Sequence, residues 1–159
     1  MLTLWTLRVV LMLAVVMVTA MMSSPAAADD KDKNDDPYKL PPLDSNEWKK
    51  QPSGLEIWDA KEGKGDEVKT GDTVTIHYTG WTLDGKVFDS SKKGRGQPAT
   101  FPLGDLIKGW QMMVPGMKVG GTRRMELPHE FAYGERGSPP DIPAKATLVF
   151  EIEVKATKK

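Results

Sequence analysis

TVTIHYTGWTLDGKVFD, residues 73–89, decides the fold. Val74, Ile76 and Tyr78 alternate with Thr73, Thr75 and His77, and a period of two sends successive side chains to opposite faces of a strand. The stretch predicts a half-buried strand, a turn at Asp84-Gly85 and a return strand. Asp-Gly accepts the positive φ angles of a tight type I′ hairpin turn, which is the turn expected here. The return strand ends in Phe88-Asp89: a large aromatic followed at once by a carboxylate outside the apolar pattern suits the mouth of a pocket.

Strand signals continue on both sides of this hairpin. Residues 55–59 form a short candidate strand, and residues 100–103 another, placed at an edge because Pro102 cannot donate to a ladder. The pattern changes over residues 106–114, LIKGWQMMV, where Leu106, Ile107, Trp110, Met113 and Val114 fall at spacings of three and four. That is one face of a short helix, which Pro115-Gly116 stops. Residues 122–127 and 146–154 complete the strands; in the last, Leu148, Phe150, Ile152 and Val154 alternate with their neighbours. The expected fold is α+β: a strongly twisted antiparallel sheet with one short helix across its inner face, in a domain spanning residues 54–159.

The preceding residues read differently. Residues 1–28 carry one charge, Arg8, then an apolar run from Val9 to Met22 and small residues ending in Ala26-Ala27-Ala28. This is the layout of a secretory signal peptide cleaved before Asp29, the run being shorter than the roughly 20 residues of a membrane span. Residence in the periplasm or outside the cell is the corresponding expectation. An uncleaved anchor, recruiting Leu2, Leu4, Trp5 and Leu7, is the rival reading and would leave the protein membrane-bound. Residues 29–53, with DDKDKNDDP at their head and Pro41-Pro42 in their middle, read as a polar linker that cannot repay the entropy of ordering. The run lacks the glycine turn and terminal glutamate of a calcium loop. It also lacks a heptad pattern, so a monomer is expected.

Composition excludes several functions. Lys plus Arg and Asp plus Glu both number 22 in 159 residues, so no basic field favours a nucleic-acid partner. Without cysteine there is no disulfide, thiolate nucleophile or iron–sulfur cluster. The two histidines, His77 and His129, have no metal-ligand spacing, and neither a phosphate-cradling loop nor a G-x-S-x-G elbow occurs. Ser90 and Ser91 read as turn formers. No cofactor or metal is expected. What remains is an apolar set drawn from separate segments: Tyr78 and Phe88, Ile107 and Trp110, Tyr133 and Ile142, and Phe150. Most aromatics in a small domain are simply core. Here two phenols need partners if buried, Asp89 adjoins the set, and the loop GERGSPPDI, residues 134–142, is long enough to wall a site. An apolar pocket with a few polar groups is the expected ligand site.

HYTGWTLDGKVFDSS, FPLGDLIKGW and EFAYGERGSPPDIPAKATLVFEIEV, in that order, resemble the FKBP-type peptidyl-prolyl isomerases, the immunophilins that bind rapamycin. The resemblance covers residues 54–156. It implies a half-barrel sheet wrapped around one helix, with the pocket between them, and isomerisation of X-Pro bonds without a cofactor. By that resemblance Tyr78, Phe88, Asp89, Leu106, Ile107, Trp110, Tyr133, Ile142 and Phe150 take the pocket positions, with Trp110 as floor and the Ile107 N–H meeting a peptide carbonyl. Arg95 is a candidate counterpart of the family's arginine near Asp89. Implied partners are proline-containing segments of unfolded or partly folded proteins, and macrolides of the rapamycin type. The chain departs from the family at Ala99, where an aromatic is common, at Ser138, where some members have histidine, and in a loop over residues 92–97 one residue longer than in the small cytosolic members. A proline-binding chaperone or adaptor that turns over poorly is the alternative to an enzyme.

Overall fold

A computed structural model of the chain describes residues 36–159. The expected signal segment, and the head of the expected linker, lie outside the described residues. Seven strands form one antiparallel sheet: β1 (Lys49–Lys50), β2 (Glu56–Lys61), β3 (Thr73–Thr82), β4 (Val87–Ser90), β5 (Ala99–Pro102), β6 (Thr122–Leu127) and β7 (Leu148–Lys158). Their spatial order is β1-β2-β6-β7-β3-β4, with β5 also on β3. β4 pairs with the end of β3 through Thr79 to Trp81, while β5 pairs with its beginning through Thr73 to Ile76. The two short strands therefore share one edge of β3, and the loop between them bulges at His77 and Tyr78.

The alternation in β3 does what its period requires. Val74 and Ile76 are fully buried, and Ile76 lies opposite Val154 of β7. A one-residue slip would turn both outward, at about 1.5–3 kcal/mol per side chain, so burial fixes the register. One short helix, α1 (Lys108–Met113), lies across the inner face and buries Trp110 and Met113 among Leu55, Ile57, Met125, Leu127, Phe150 and Ile152. A side chain at Gly109 would collide with Leu127, so glycine lets the helix lie close to β6. Arg123 of β6 ties down the other end. Its guanidinium grips Asp59 of β2 through Nε and Nη2 at 2.6 and 3.0 Å, and Nη1 donates to the Met113 carbonyl at 2.6 Å. One of the carbonyls that every helix leaves unsatisfied at its C-terminus is met in this way.

The sheet-and-helix architecture read from the sequence stands, and three details differ. The hairpin turn is not type I′, since Gly85 has φ +85° while Asp84 does not have positive φ. The Gly85 N–H bonds the Thr82 carbonyl at 2.9 Å, and the Thr82 N–H bonds that of Lys86 at 3.0 Å, a type I turn closed by a left-handed glycine. Asp84 earns its place as an acceptor for the Thr82 hydroxyl and the Lys86 N–H. The helix is shorter than its apolar spacing suggested, because Leu106 and Ile107 are extended and only lead into it.

The third difference concerns the linker. Its described part, residues 36–53, is packed against the outer face of the sheet. Trp81 and Val149 point away from the inner core and yet are 1% and 0% exposed. The Trp81 indole N–H donates to the Tyr38 carbonyl at 2.7 Å, and Pro41 is buried. Further along, Trp48 meets Trp58 edge to face at 6.0 Å, and the Arg124 guanidinium lies over the same Trp58 ring at 4.3 Å. β1 then pairs with β2. Composition marked this stretch as polar, but a few apolar residues anchor it.

Candidate functional site

Four strands, the helix approach and one loop converge on a cluster of rings. Trp110 of α1 meets Phe150 of β7 at 5.3 Å and Tyr78 of β3 at 5.5 Å, with interplanar angles of 87° and 73°. Phe88 of β4 meets Phe150 at 5.6 Å and Tyr133 at 6.5 Å, and Phe101 of β5 meets Tyr78 at 6.3 Å, all edge to face. Edge-to-face contacts set positive ring edges against negative faces and leave the rings upright, as walls. They enclose a cavity of about 200 Å³ lined by Tyr78, Phe101, Leu106, Ile107, Trp110, Tyr133 and Phe150. Gly80 makes the arrangement fit: a Cβ there would stand 2.5 Å from Phe88 and 2.9 Å from Phe150, below any real contact.

Few polar groups reach this space. The Tyr78 hydroxyl donates to Asp89 Oδ2 at 2.7 Å, while Asp89 Oδ1 accepts the Ser90 N–H at 2.8 Å. Burial, reinforced by Asp89, pushes the Tyr78 phenol well above its ordinary pKa, and burial followed by the Asp89 charge raises that of Tyr133. Both phenols thus stay neutral donors. The Ile107 N–H at the cavity wall has no partner among the described residues. Its segment is held by Gln111, whose Nε2 donates to the carbonyls of Gly104 at 2.9 Å and Leu106 at 2.6 Å. This clamp leaves the Ile107 amide available to an acceptor in the cavity.

Other chemistry-bearing groups are engaged elsewhere. Ser91 Oγ accepts the Tyr78 N–H at 2.9 Å and lies 3.2 Å from His77 Nδ1, and Ser90 Oγ donates to the Tyr78 carbonyl at 3.0 Å. Ser90 is the last residue of β4 rather than a turn former, Ser91 opens the turn after it, and both tie this segment to β3 beside the site. His129 lies 3.3 Å from Glu130 and lines no part of the cavity. Among the described residues no three His, Cys, Asp or Glu side chains gather as a metal site.

The sequence singled out ten residues, and the structure gathers most of them. Tyr78, Leu106, Ile107, Trp110, Tyr133 and Phe150 line the cavity, with Phe88 and Asp89 at its margin. Ile142 is 4% exposed and sits in the core behind the lining. Arg95 is the exception: it is exposed on the loop over residues 91–98, and among the described residues no ion pair or hydrogen bond joins its guanidinium to Asp89. Phe101 lines the cavity although sequence reasoning passed over it. The signal was present, since alternation in β5 turns Ala99 and Phe101 inward and Thr100 and Pro102 outward. A wider groove of about 550 Å³ lies between the β3–β4 turn and residues 140–147, bridged by a Lys86–Asp141 ion pair at 3.5 Å. No aromatic ring lines it, so chemistry rather than size selects the smaller cavity.

Fold and site together define an α+β protein with an aromatic-walled pocket of about 200 Å³, sized for an apolar ring. The chain belongs to the FKBP-type peptidyl-prolyl cis-trans isomerase family, whose model matches residues 64–155. FK506-binding protein 1 of Dictyostelium discoideum is 50% identical over 103 residues, covering 64% of this chain and 95% of that one. FK506-binding protein 4 of Rhizopus delemar is 46% identical over 111 residues, covering 69% of this chain; the chain spans only 28% of that longer relative. The crystal structure of a peptidyl-prolyl cis-trans isomerase from Pseudomonas syringae pv. tomato superposes with a TM-score of 0.67 at 31% identity, covering 73% of this chain and 84% of that one.

Proposed function

We propose that this protein accelerates cis–trans rotation of X-Pro bonds in proteins folding outside the cytoplasm. The observation that carries the reading is the cavity itself: aromatic walls, a neutral Tyr133 phenol and one free amide at Ile107. Unaided, the rotation takes tens to hundreds of seconds because it breaks amide resonance across a barrier of about 20 kcal/mol. The planar amide is charge-separated and well solvated by water, whereas the twisted amide has lost that separation. Enclosing the bond in a dry aromatic space raises the planar form relative to the twisted one. A barrier lowered by about 5 kcal/mol accelerates the step more than a thousandfold.

Each residue then has a role. Trp110 is the floor under the proline ring, and Phe88, Phe150, Leu106 and Ile107 exclude water, with Ile142 supporting them from the core. The Ile107 N–H holds a peptide carbonyl. Asp89 fixes Tyr78 and orients the rotating bond, and Tyr133 offers its hydroxyl from the exposed rim. No proton is transferred. Substrates are proline-containing segments of unfolded or partly folded chains, and a macrolide of the rapamycin type competes for the same space. The export signal read over residues 1–28 sets the compartment, and the protein acts as a monomer.

Exchange NMR on an Ala-Leu-Pro-Phe peptide tests this. Line broadening that depends on the protein and disappears with a macrolide competitor is expected. Saturable binding without exchange would replace the enzyme with a proline-binding adaptor.

A further inference from the structure

Leu106 and Ile107 are extended, with ψ of 171° and 150°, and Ile107 stands immediately before α1 without a side-chain cap. An isoleucine offers no oxygen with which to fix how the chain enters a helix. Gln111, four residues on and outside the cavity lining, supplies that restraint. Its Nε2 carries two N–H donors for two carbonyls, that of Gly104 at 2.9 Å and that of Leu106 at 2.6 Å. The approach is anchored from its other end as well. The Leu106 N–H bonds the Leu103 carbonyl at 3.3 Å, and the Leu103 N–H bonds that of Asp72 at 2.9 Å. The Leu106 carbonyl and the Ile107 N–H belong to one peptide unit. Such a unit is planar and trans, so its C=O and N–H point in opposite directions. With the oxygen held by Gln111, the N–H is turned away from Gln111, and it has no partner among the described residues.

We infer that Gln111 is a positioning residue of the reaction, one that aims and polarises the Ile107 N–H through the Leu106 carbonyl. The inference rests on the isomerase reading above. A hydrogen bond accepted by an amide oxygen draws electron density from its nitrogen, and each bond in such a chain strengthens the next by about 10–30%. The relay runs from the Gln111 carboxamide through the Leu106 peptide unit to the substrate carbonyl. Because the Ile107 N–H holds that carbonyl and leaves the rotation itself to the aromatic walls, it binds planar and twisted forms alike. Its loss therefore raises KM and spares kcat.

The test compares Gln111→Met, which keeps the side chain's length but has no donor, with Gln111→Lys, which restores donors. Exchange NMR over a concentration series of the Ala-Leu-Pro-Phe peptide gives kcat and KM for the full protein, and the Ile107 amide proton is followed in the same samples. In the wild type that proton should move downfield as the peptide saturates. In Gln111→Met, KM should rise about fivefold with kcat unchanged, the effect of weakening one hydrogen bond, and the Ile107 shift should fall by at least half. Gln111→Lys should recover both. Urea midpoints separate this from a purely structural role. An unchanged KM and Ile107 shift in Gln111→Met, with or without a lower midpoint, would overturn the inference, as would a Gln111→Lys protein no better than Gln111→Met. If the wild type binds the peptide without turning it over, the isomerase reading fails and the Ile107 shift alone decides the role of Gln111. A wild type that does not bind the peptide would overturn both.

Discussion

Gly80 shows how much of the site rests on an absence. With Phe88 and Phe150 packed where its side chain would stand, Gly80→Ala must push one ring into the cavity. Overpacking of this kind costs about 1–3 kcal/mol. We expect a folded protein with a lower urea midpoint and at least tenfold lower kcat/KM, since the displaced ring occupies the proline's place. The phenols give a second expectation. Because burial raises Tyr78 and Tyr133, neither should ionise as pH rises from 7 to 9, so kcat/KM should stay level over that range. A break there would assign a proton transfer to the reaction. At this scale the sequence was legible wherever an aromatic stood in a strongly patterned segment. Phe101 was obscured because the alternation that turns it inward spans only the four residues of β5. Arg95 was misplaced because motif position does not fix where a glycine-rich loop points a side chain.

At the scale of elements, strand and helix identities followed from periodicity, and their ends did not. Leu106 and Ile107 carry helical spacing but remain extended, which is what frees the Ile107 amide. The β3–β4 turn is set by two features together: glycine at φ +85°, and an Asp84 carboxylate that caps its own turn. Residues 36–53 eluded compositional reasoning because few of them make the anchoring contacts. Trp81→Phe tests that anchoring. It removes the hydrogen bond to the Tyr38 carbonyl and part of a fully buried ring, and should destabilise the domain by about 1–3 kcal/mol in urea unfolding. An unchanged midpoint would mean that the segment adds nothing to stability.

For the whole molecule, acid should be a specific weakness. Asp72 accepts the Lys69 N–H and the Thr157 hydroxyl, both at 2.9 Å, and these bonds hold its carboxyl below the usual range, the first more strongly. A depressed folded pKa contributes stability that is complete above about pH 4 and lost as pH falls through the folded value. The urea midpoint should therefore drop below pH 4, and drop less in Asp72→Asn. If the export reading holds, mass spectrometry of the exported protein will show a chain beginning at Asp29; an intact Met1 would favour an anchor. The central claim, that a dry aromatic cavity with an oriented amide performs the isomerisation, is tested most directly by kcat/KM for a prolyl peptide in Phe88→Ala and Asp89→Val, with unfolding midpoints taken on the same samples. Each variant should remain folded and lose at least tenfold, about 1.4 kcal/mol of transition-state stabilisation, while His77→Ala and His129→Ala change little. Full activity in a folded Phe88→Ala or Asp89→Val protein would contradict the account.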